Sequence, residues 1–259
     1  VALAGMPNVG KSTVFNALTG LHQHTGNWAG KTVASAVGTT VCCGETILLA
    51  DLPGTYSLRA RSAEEAVARD FLCFAKPDAA VVVCDATCLE RGLLLVMQVL
   101  ETCPKALLCV NLLDEAEKRH ITIDLPRLEQ CLGIPVVGVA ARSGKGLAQL
   151  QERLHALLHE DAPSPCPVPI PEQLEEPLQL VQAALPENGN GLPPLWTAKR
   201  LLEPEPELHE KIAAHLGISL ETGEIADALR QAQCLISPEQ CADAMIAAIV
   251  RHSEALAAQ

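Results

Sequence analysis

The chain has 259 residues, of which 49% are apolar and 19% charged, so it can bury a core in one large or two smaller domains and is not mainly disordered. Lysine and arginine number 19 and aspartate and glutamate 31, which gives a formal net charge of −12. A chain this acidic repels a phosphate backbone on average, which argues against generic nucleic-acid binding but permits a local site for a small anion.

The first 160 residues alternate apolar, strand-like runs with helical patterns. Continuous apolar strands between helices predict a mostly parallel sheet with helices on both faces, an α/β fold of the doubly wound class. The predicted strands are 1–5, 46–51, 79–85, 106–111 and 136–140, and the predicted helices are 11–18, 62–74, 88–100, 125–132 and 147–158.

The composition changes after residue 160. Proline occupies every second position from Pro163 to Pro171, which disfavours helix and central strand and predicts a stiff, extended linker over 161–172. Only helical patterns follow, so we expect a small all-α helical domain at 173–259. Its predicted helices are 174–185, 195–202, 207–216, 220–232 and 238–255.

Residues 5–12 read GMPNVGKS and match the phosphate-loop pattern GxxxxGK[ST], between a predicted strand and a predicted helix. The glycines let successive backbone N–H groups face one anion, Lys11 supplies a cation for the outer phosphates, and the Ser12 hydroxyl can bind Mg²⁺. The helix N-terminus adds roughly half a positive charge. The predicted phosphate-binding residues are Gly5, Asn8, Val9, Gly10, Lys11, Ser12 and Thr13.

A second element, DLPG at residues 51–54, follows the next predicted strand. Asp51 is predicted to hold Mg²⁺ through water, and the Gly54 N–H to donate to the terminal phosphate and so to sense its loss. This pattern alone is weak and often marks a plain turn, but its spacing after a phosphate loop makes it informative.

Two further elements choose the base. The Asp114 carboxylate, in NLLD at 111–114, can accept from guanine N1–H and the N2 amino group, whereas adenine would leave it unpaired. Asn111 is predicted to brace the loop and the base; the alternative for Asp114 is a helix N-cap. In the segment Ala140-Ala141-Arg142 the Ala141 N–H can donate to guanine O6. The four elements in order predict a Mg²⁺-dependent GTP-binding domain with the P-loop GTPase fold at 1–160.

Three stretches resemble the cytosolic G domain of the ferrous iron transport protein B family. They read GMPNVGKSTVFNALTG at 5–20, HTGNWAGKTV at 24–33 and DLPGTYSL at 51–58. The resemblance implies that the chain binds GTP and GDP and hydrolyses GTP. It also implies a helical domain that connects the G domain to a permease of the same protein moving Fe²⁺, at the cytoplasmic face of the bacterial inner membrane. Small accessory Feo proteins and a second copy of the chain are further candidate partners.

The resemblance also assigns roles to single residues. Thr32 corresponds to a switch I threonine that ligates Mg²⁺, with a plain strand-edge threonine as the alternative. Asn8 corresponds to an asparagine that holds K⁺ beside the phosphates, the alternative being that it only tolerates an unusual backbone angle. Thr55 stands where many signalling GTPases carry a water-orienting glutamine, so slow hydrolysis is expected. The expected catalytic residues are Lys11, Asn8, Thr32 and Gly54.

Other residues are predicted to be structural. His22 and His24 have the spacing of metal ligands on a strand but are expected to be solvated, with metal binding as the alternative. Four glutamates of the helical domain are also expected to be solvated, with a weak Fe²⁺ relay as the alternative: Glu203, Glu205, Glu207 and Glu210. The eleven cysteines are expected to be reduced thiols. Two other functions stay open at this point, a ribosome- or RNA-maturation GTPase with a helical tail and a nucleotide-regulated scaffold.

Overall fold

The computed structural model describes residues 1–20, 23–26, 35–60, 62–161, 164–186 and 190–258, with the backbone alone at 23–26 and 35. Within these ranges seven strands form one sheet. The strands are β1 (Ala2–Gly5), β2 (Gln23–Gly26), β3 (Ser35–Cys42), β4 (Glu45–Asp51), β5 (Ala80–Asp85), β6 (Ala106–Asn111) and β7 (Val136–Gly138).

The sheet has the strand order β2-β3-β4-β1-β5-β6-β7. The five strands from β4 to β7 in this order run parallel, and every residue of β1 and β6 is buried. Complete burial explains why these strands read as continuous apolar runs. Their carboxyl ends share one edge of the sheet, where open α/β sheets bind ligands.

Eleven α-helices lie in the described part of the chain, and a 3₁₀ turn at Ala86–Cys88 precedes the third of them. The helices are α1 (Lys11–Thr19), α2 (Ala63–Phe74), α3 (Leu89–Thr102), α4 (Leu113–Lys118), α5 (Leu125–Leu132), α6 (Leu147–His159), α7 (Glu172–Ala183), α8 (Pro194–Leu202), α9 (Pro206–Leu216), α10 (Glu224–Leu235) and α11 (Pro238–Ala257).

The predicted fold class, a mostly parallel sheet with flanking helices followed by a helical part, is confirmed. The sequence did not predict β2 and β3, which pair antiparallel at the edge next to β4. Their sequences, QHTG and SAVGTTVC, show no continuous or alternating apolar run, since the buried positions of β3 are Gly38, Thr40 and Cys42. Val41, near the end of β3, is largely exposed.

Several element ends differ from the predictions by one to four residues, and two of these differences have clear local reasons. The last strand ends at Gly138 instead of residue 140, because Ala140 leaves the sheet and pairs with Lys145 across a turn. Helix α10 begins at Glu224 instead of residue 220, because the Ser219 hydroxyl accepts from the N–H groups of Glu221 and Thr222 and holds them in a turn.

The chain divides into two compact units, residues 1–167 together with 253–259, and residues 168–252. In the second unit, the expectation that four glutamates form a solvated face is wrong for Glu203. This side chain is buried, with Oε2 2.9 Å from Arg200 Nη1, since a carboxylate is tolerated in a core only when it is paired. The division into a domain at 1–160, a linker at 161–172 and a domain at 173–259 stays a prediction.

Among the described residues, no helix combines the length and the apolar character that crossing a membrane requires. None of the eleven cysteines forms a disulfide. Burial raises the pKa of the Cys109 thiol to about 12, which keeps this thiol protonated and unreactive at neutral pH.

Candidate nucleotide-binding site

The phosphate loop joins the end of β1 to the start of α1. Gly10 is the N-cap of α1 and has φ +80°, and Asn8 has φ +66°, so the backbone curls through the left-handed region twice. A Cβ on Gly5 would lie 2.7 Å from the Val83 carbonyl oxygen. Lys11, Ser12 and Thr13 form the first helical turn, whose backbone N–H groups lack partners within the helix and can bind an anion.

The phosphate-loop lysine and the predicted metal carboxylate meet directly. Asp51 is the last residue of β4, and its Oδ1 accepts a hydrogen bond from Lys11 Nζ. Both side chains are largely buried, 10% exposed for Lys11 and 13% for Asp51. Lys11 and Asp51 thus form a largely buried ion pair beside the phosphate loop, and the neighbouring residue Ser12 is exposed.

The turn after Asp51 is anchored to the phosphate loop. Gly54 packs against Pro7, and the Thr55 N–H donates to the Gly5 carbonyl oxygen at 3.1 Å. The Thr55 side chain is fully buried, and its hydroxyl donates to the Ser57 carbonyl oxygen at 2.6 Å. This hydroxyl points into the protein, so it is not placed to orient water at a phosphate.

Asn111 connects three parts of the site. Its side chain is 1% exposed, its Nδ2 donates to the Val9 carbonyl oxygen at 3.0 Å, and its Oδ1 accepts from the Ala141 N–H at 3.1 Å. The predicted base-binding strand end, the phosphate loop and the predicted guanine O6 loop are therefore held by one side chain. Donation from the Ala141 N–H to guanine O6 would require this hydrogen bond to be shared or exchanged.

Asp114 lies in the first turn of α4 and is partly buried. The N-cap of α4 is Leu112, with φ +63°, so the alternative in which Asp114 caps the helix is wrong. Ala140 and Ala141 are buried, whereas Arg142 is exposed on the turn that leads to α6.

Some of the predicted site residues fall outside the described part of the chain. Thr32 and His22 are among them, and His24 is described only as backbone in β2. The sequence did not predict that Lys11 pairs with Asp51 or that Asn111 contacts Val9. The second link could have been inferred from the motif order, since β6 and β1 both end at the ligand-binding edge.

The sheet order, the phosphate loop after β1 and the motifs at the carboxyl ends of β4 and β6 define a P-loop GTPase domain. Residues 1–154 match the family described as ferrous iron transport protein B, and the chain belongs to this family.

Curated relatives match more than half of the chain. The Fe(2+) transporter FeoB of Salmonella typhimurium is 40% identical over 155 residues, covering 58% of this chain and 20% of the relative. The FeoB of Helicobacter pylori is 45% identical over 143 residues, covering 55% and 22%. The chain spans about a fifth of the length of these relatives.

Solved structures match the whole chain. The cytosolic domain of the T. maritima FeoB iron transporter in a GDP form is 32% identical with a TM-score of 0.82, covering 100% of this chain and 96% of that one. A mutant of S. thermophilus NFeoB bound to GDP is 28% identical with a TM-score of 0.81, covering 100% and 98%. The T. maritima domain has also been solved in a GMPPNP form.

Proposed function

We propose that this chain is the GTP-binding and slowly GTP-hydrolysing part of a membrane transporter for Fe²⁺, at the cytoplasmic face of the bacterial inner membrane. The observation that supports it most is the arrangement around Asn111, which joins the predicted base-binding segment to the phosphate loop. Residues 1–154 match the ferrous iron transport protein B family, and the curated relatives are Fe²⁺ transporters of whose length this chain spans about a fifth.

In this proposal the triphosphate lies on the N–H groups of the phosphate loop, and Lys11 turns from Asp51 to the outer phosphates. The donor set suits Mg²⁺, which prefers hard oxygen ligands, since the Ser12 hydroxyl and the Asp51 carboxylate are oxygens on adjacent elements. Thr32 is proposed as a third Mg²⁺ ligand. Bound Mg²⁺ would neutralise phosphate charge, while the Gly54 N–H would donate to the terminal phosphate.

The helical part is proposed to pass the nucleotide state to a permease of the same protein. The small accessory Feo proteins and a homo-oligomer stay predictions. The match of residues 1–154 to a transporter family argues against the RNA-maturation alternative. An affinity for RNA at low salt equal to that for GTP, measured by filter binding, would favour that alternative.

Calorimetry in the presence of Mg²⁺ tests the core of this proposal. We expect GTP and GDP to bind, and ATP to bind at least about 100-fold more weakly, because adenine cannot donate two hydrogen bonds to Asp114. A preference for ATP, or no binding of either nucleotide, would refute the proposal.

Potassium dependence is a separate prediction that concerns Asn8. The residue has a left-handed backbone, so alanine would add backbone strain, whereas glycine removes the side chain and keeps the conformation. If Asn8 holds K⁺, the Asn8→Gly variant should lose K⁺ stimulation of single-turnover hydrolysis, while the unmodified chain hydrolyses GTP slowly in Na⁺ and faster in K⁺.

Two results would contradict the predicted role of K⁺. Full K⁺ stimulation in the Asn8→Gly variant would mean that Asn8 only serves the backbone angle. Fast hydrolysis by the unmodified chain in Na⁺, with no gain in K⁺, would remove the monovalent cation from the proposal.

A further inference from the structure

A cluster of metal-ligating side chains lies away from the nucleotide residues. His155 and His159 lie one turn apart on α6, and Glu45 is the first residue of β4. The Nε2 atom of His159 is 2.7 Å from Glu45 Oε2, and that of His155 is 3.5 Å from the same oxygen. The two imidazole centroids are 4.4 Å apart.

The spacing of these atoms suits a metal ion. Each residue offers one ligand atom, and the three atoms lie within 4.8 Å of one another. Metal bonds of about 2.0–2.2 Å to histidine nitrogen and carboxylate oxygen place ligand atoms roughly 3 Å apart in a common coordination sphere. The observed separations need only small side-chain rotations to reach that arrangement.

The backbone holds the three residues in place. Histidines at positions i and i+4 of a helix face the same side. Glu45 follows the two-residue turn of Cys43 and Gly44, whose φ values of +51° and +88° fit a tight hairpin of type I′. Gln151 Nε2 donates to Thr40 Oγ1 at 3.1 Å, which fixes α6 against β3 one turn before His155.

We infer that Glu45, His155 and His159 form a binding site for a divalent first-row transition-metal ion. Two imidazoles and one carboxylate are a ligand set found in zinc and non-haem iron sites, with remaining positions open to water or another ligand. The side chains are 55%, 27% and 51% exposed, so an ion can reach them from solvent. A hydrogen bond between Glu45 and His159 does not explain why the Nε2 atom of His155 also approaches the same carboxylate oxygen.

This site is separate from the proposed nucleotide site, since it shares no residue with it. It would fasten the C-terminal half of α6 to the hairpin of β3 and β4. An ion that binds the folded chain and not the unfolded chain raises stability by mass action. Metal binding should therefore raise the melting temperature of the nucleotide-free chain.

Titration with Co²⁺, followed by its d–d absorption under reducing conditions, tests the site on the full chain. We expect one equivalent to bind, with affinity reduced at least about tenfold in the Glu45→Gln variant and in the His155→Gln, His159→Gln double variant. The Glu152→Gln variant on the exposed face of α6 and the His120→Asn variant are matched controls that should bind as the unmodified chain does. Asparagine is chosen because His120 has φ +58° and asparagine tolerates the left-handed region.

Melting curves and circular dichroism without metal show whether each variant is folded. The two ligand variants change different elements, β4 and α6, so one local folding defect cannot explain a loss of metal binding in both. The inference is overturned if both ligand variants keep the affinity of the unmodified chain, or if the controls lose it equally. It is also overturned if all bound Co²⁺ shows thiolate charge-transfer absorption that a Cys43→Ser variant abolishes, because the ion would then sit on cysteine.

Discussion

The Asp114→Asn variant should lose GTP binding by at least about 100-fold and gain binding of xanthosine triphosphate. Guanine presents two donors, N1–H and the N2 amino group, and a carboxylate accepts from both. Xanthine keeps the N1–H donor but carries a carbonyl oxygen in place of the amino group. The asparagine amide offers one acceptor and one donor, which matches xanthine and leaves guanine with two donors facing each other.

Displacement of a fluorescent nucleotide by GTP, xanthosine triphosphate and ATP measures this exchange. Glu117→Gln is the matched control, since it removes a charge from an exposed residue of the same helix. A uniform loss of all three nucleotides in Asp114→Asn, or an unchanged preference for GTP, would show that Asp114 does not contact the base.

The Gly10→Ala variant should lose at least about tenfold in nucleotide affinity, which corresponds to about 1.4 kcal/mol. Gly10 has φ +80°, and an added Cβ would overlap Asn111 Nδ2. The methyl group would therefore break the hydrogen bond from Asn111 to Val9 as well as strain the backbone by about 1–3 kcal/mol. Phosphate and base contacts would both be displaced.

A Gly44→Ala variant is a matched control for the effect of backbone strain alone. It has φ +88°, and a Cβ there meets no atom within 4 Å. Gly44→Ala should lower the free energy of unfolding by a comparable backbone strain while leaving nucleotide affinity unchanged. Urea unfolding and nucleotide titration of both variants separate the two effects, and equal nucleotide affinities in the two variants would contradict the proposed role of the phosphate loop.

The sequence predicted the parallel core and most of the helices because their signals are local, but it did not predict the short helix α4. Buried strands such as β5 and β6 read as apolar runs, and the Ser62 cap of α2, which accepts from the Glu65 N–H at 3.2 Å, was visible as a serine shortly before two acidic residues. The antiparallel pair β2 and β3 lacked such a signal. The buried positions of β3 are Gly38, Thr40 and Cys42, so its sequence shows no clear apolar alternation.

In the candidate site, too, the sequence predicts which residues belong together but not which atoms they contact. The motifs predicted that Lys11, Asp51 and Asn111 belong to one site, because Asp51 and Asn111 end predicted strands and Lys11 begins the helix after the phosphate loop. The partners of their side chains depend on the three-dimensional arrangement of neighbouring strands. The inward direction of Thr55 and the cluster of Glu45 with two histidines of α6 likewise depend on the folded arrangement, which no local pattern encodes.

The two hydrogen bonds of the Asn111 amide group limit how nucleotide binding can evolve in this protein. Its nitrogen secures the loop that would grip the polyphosphate, and its oxygen secures the loop that would read the purine. Under the proposed function, a substitution that removes both hydrogen bonds would loosen selectivity for the base and retention of the phosphates together. In that proposal the two properties would evolve together at Asn111, whereas changes at Asp114 or Lys11 would alter one of them at a time.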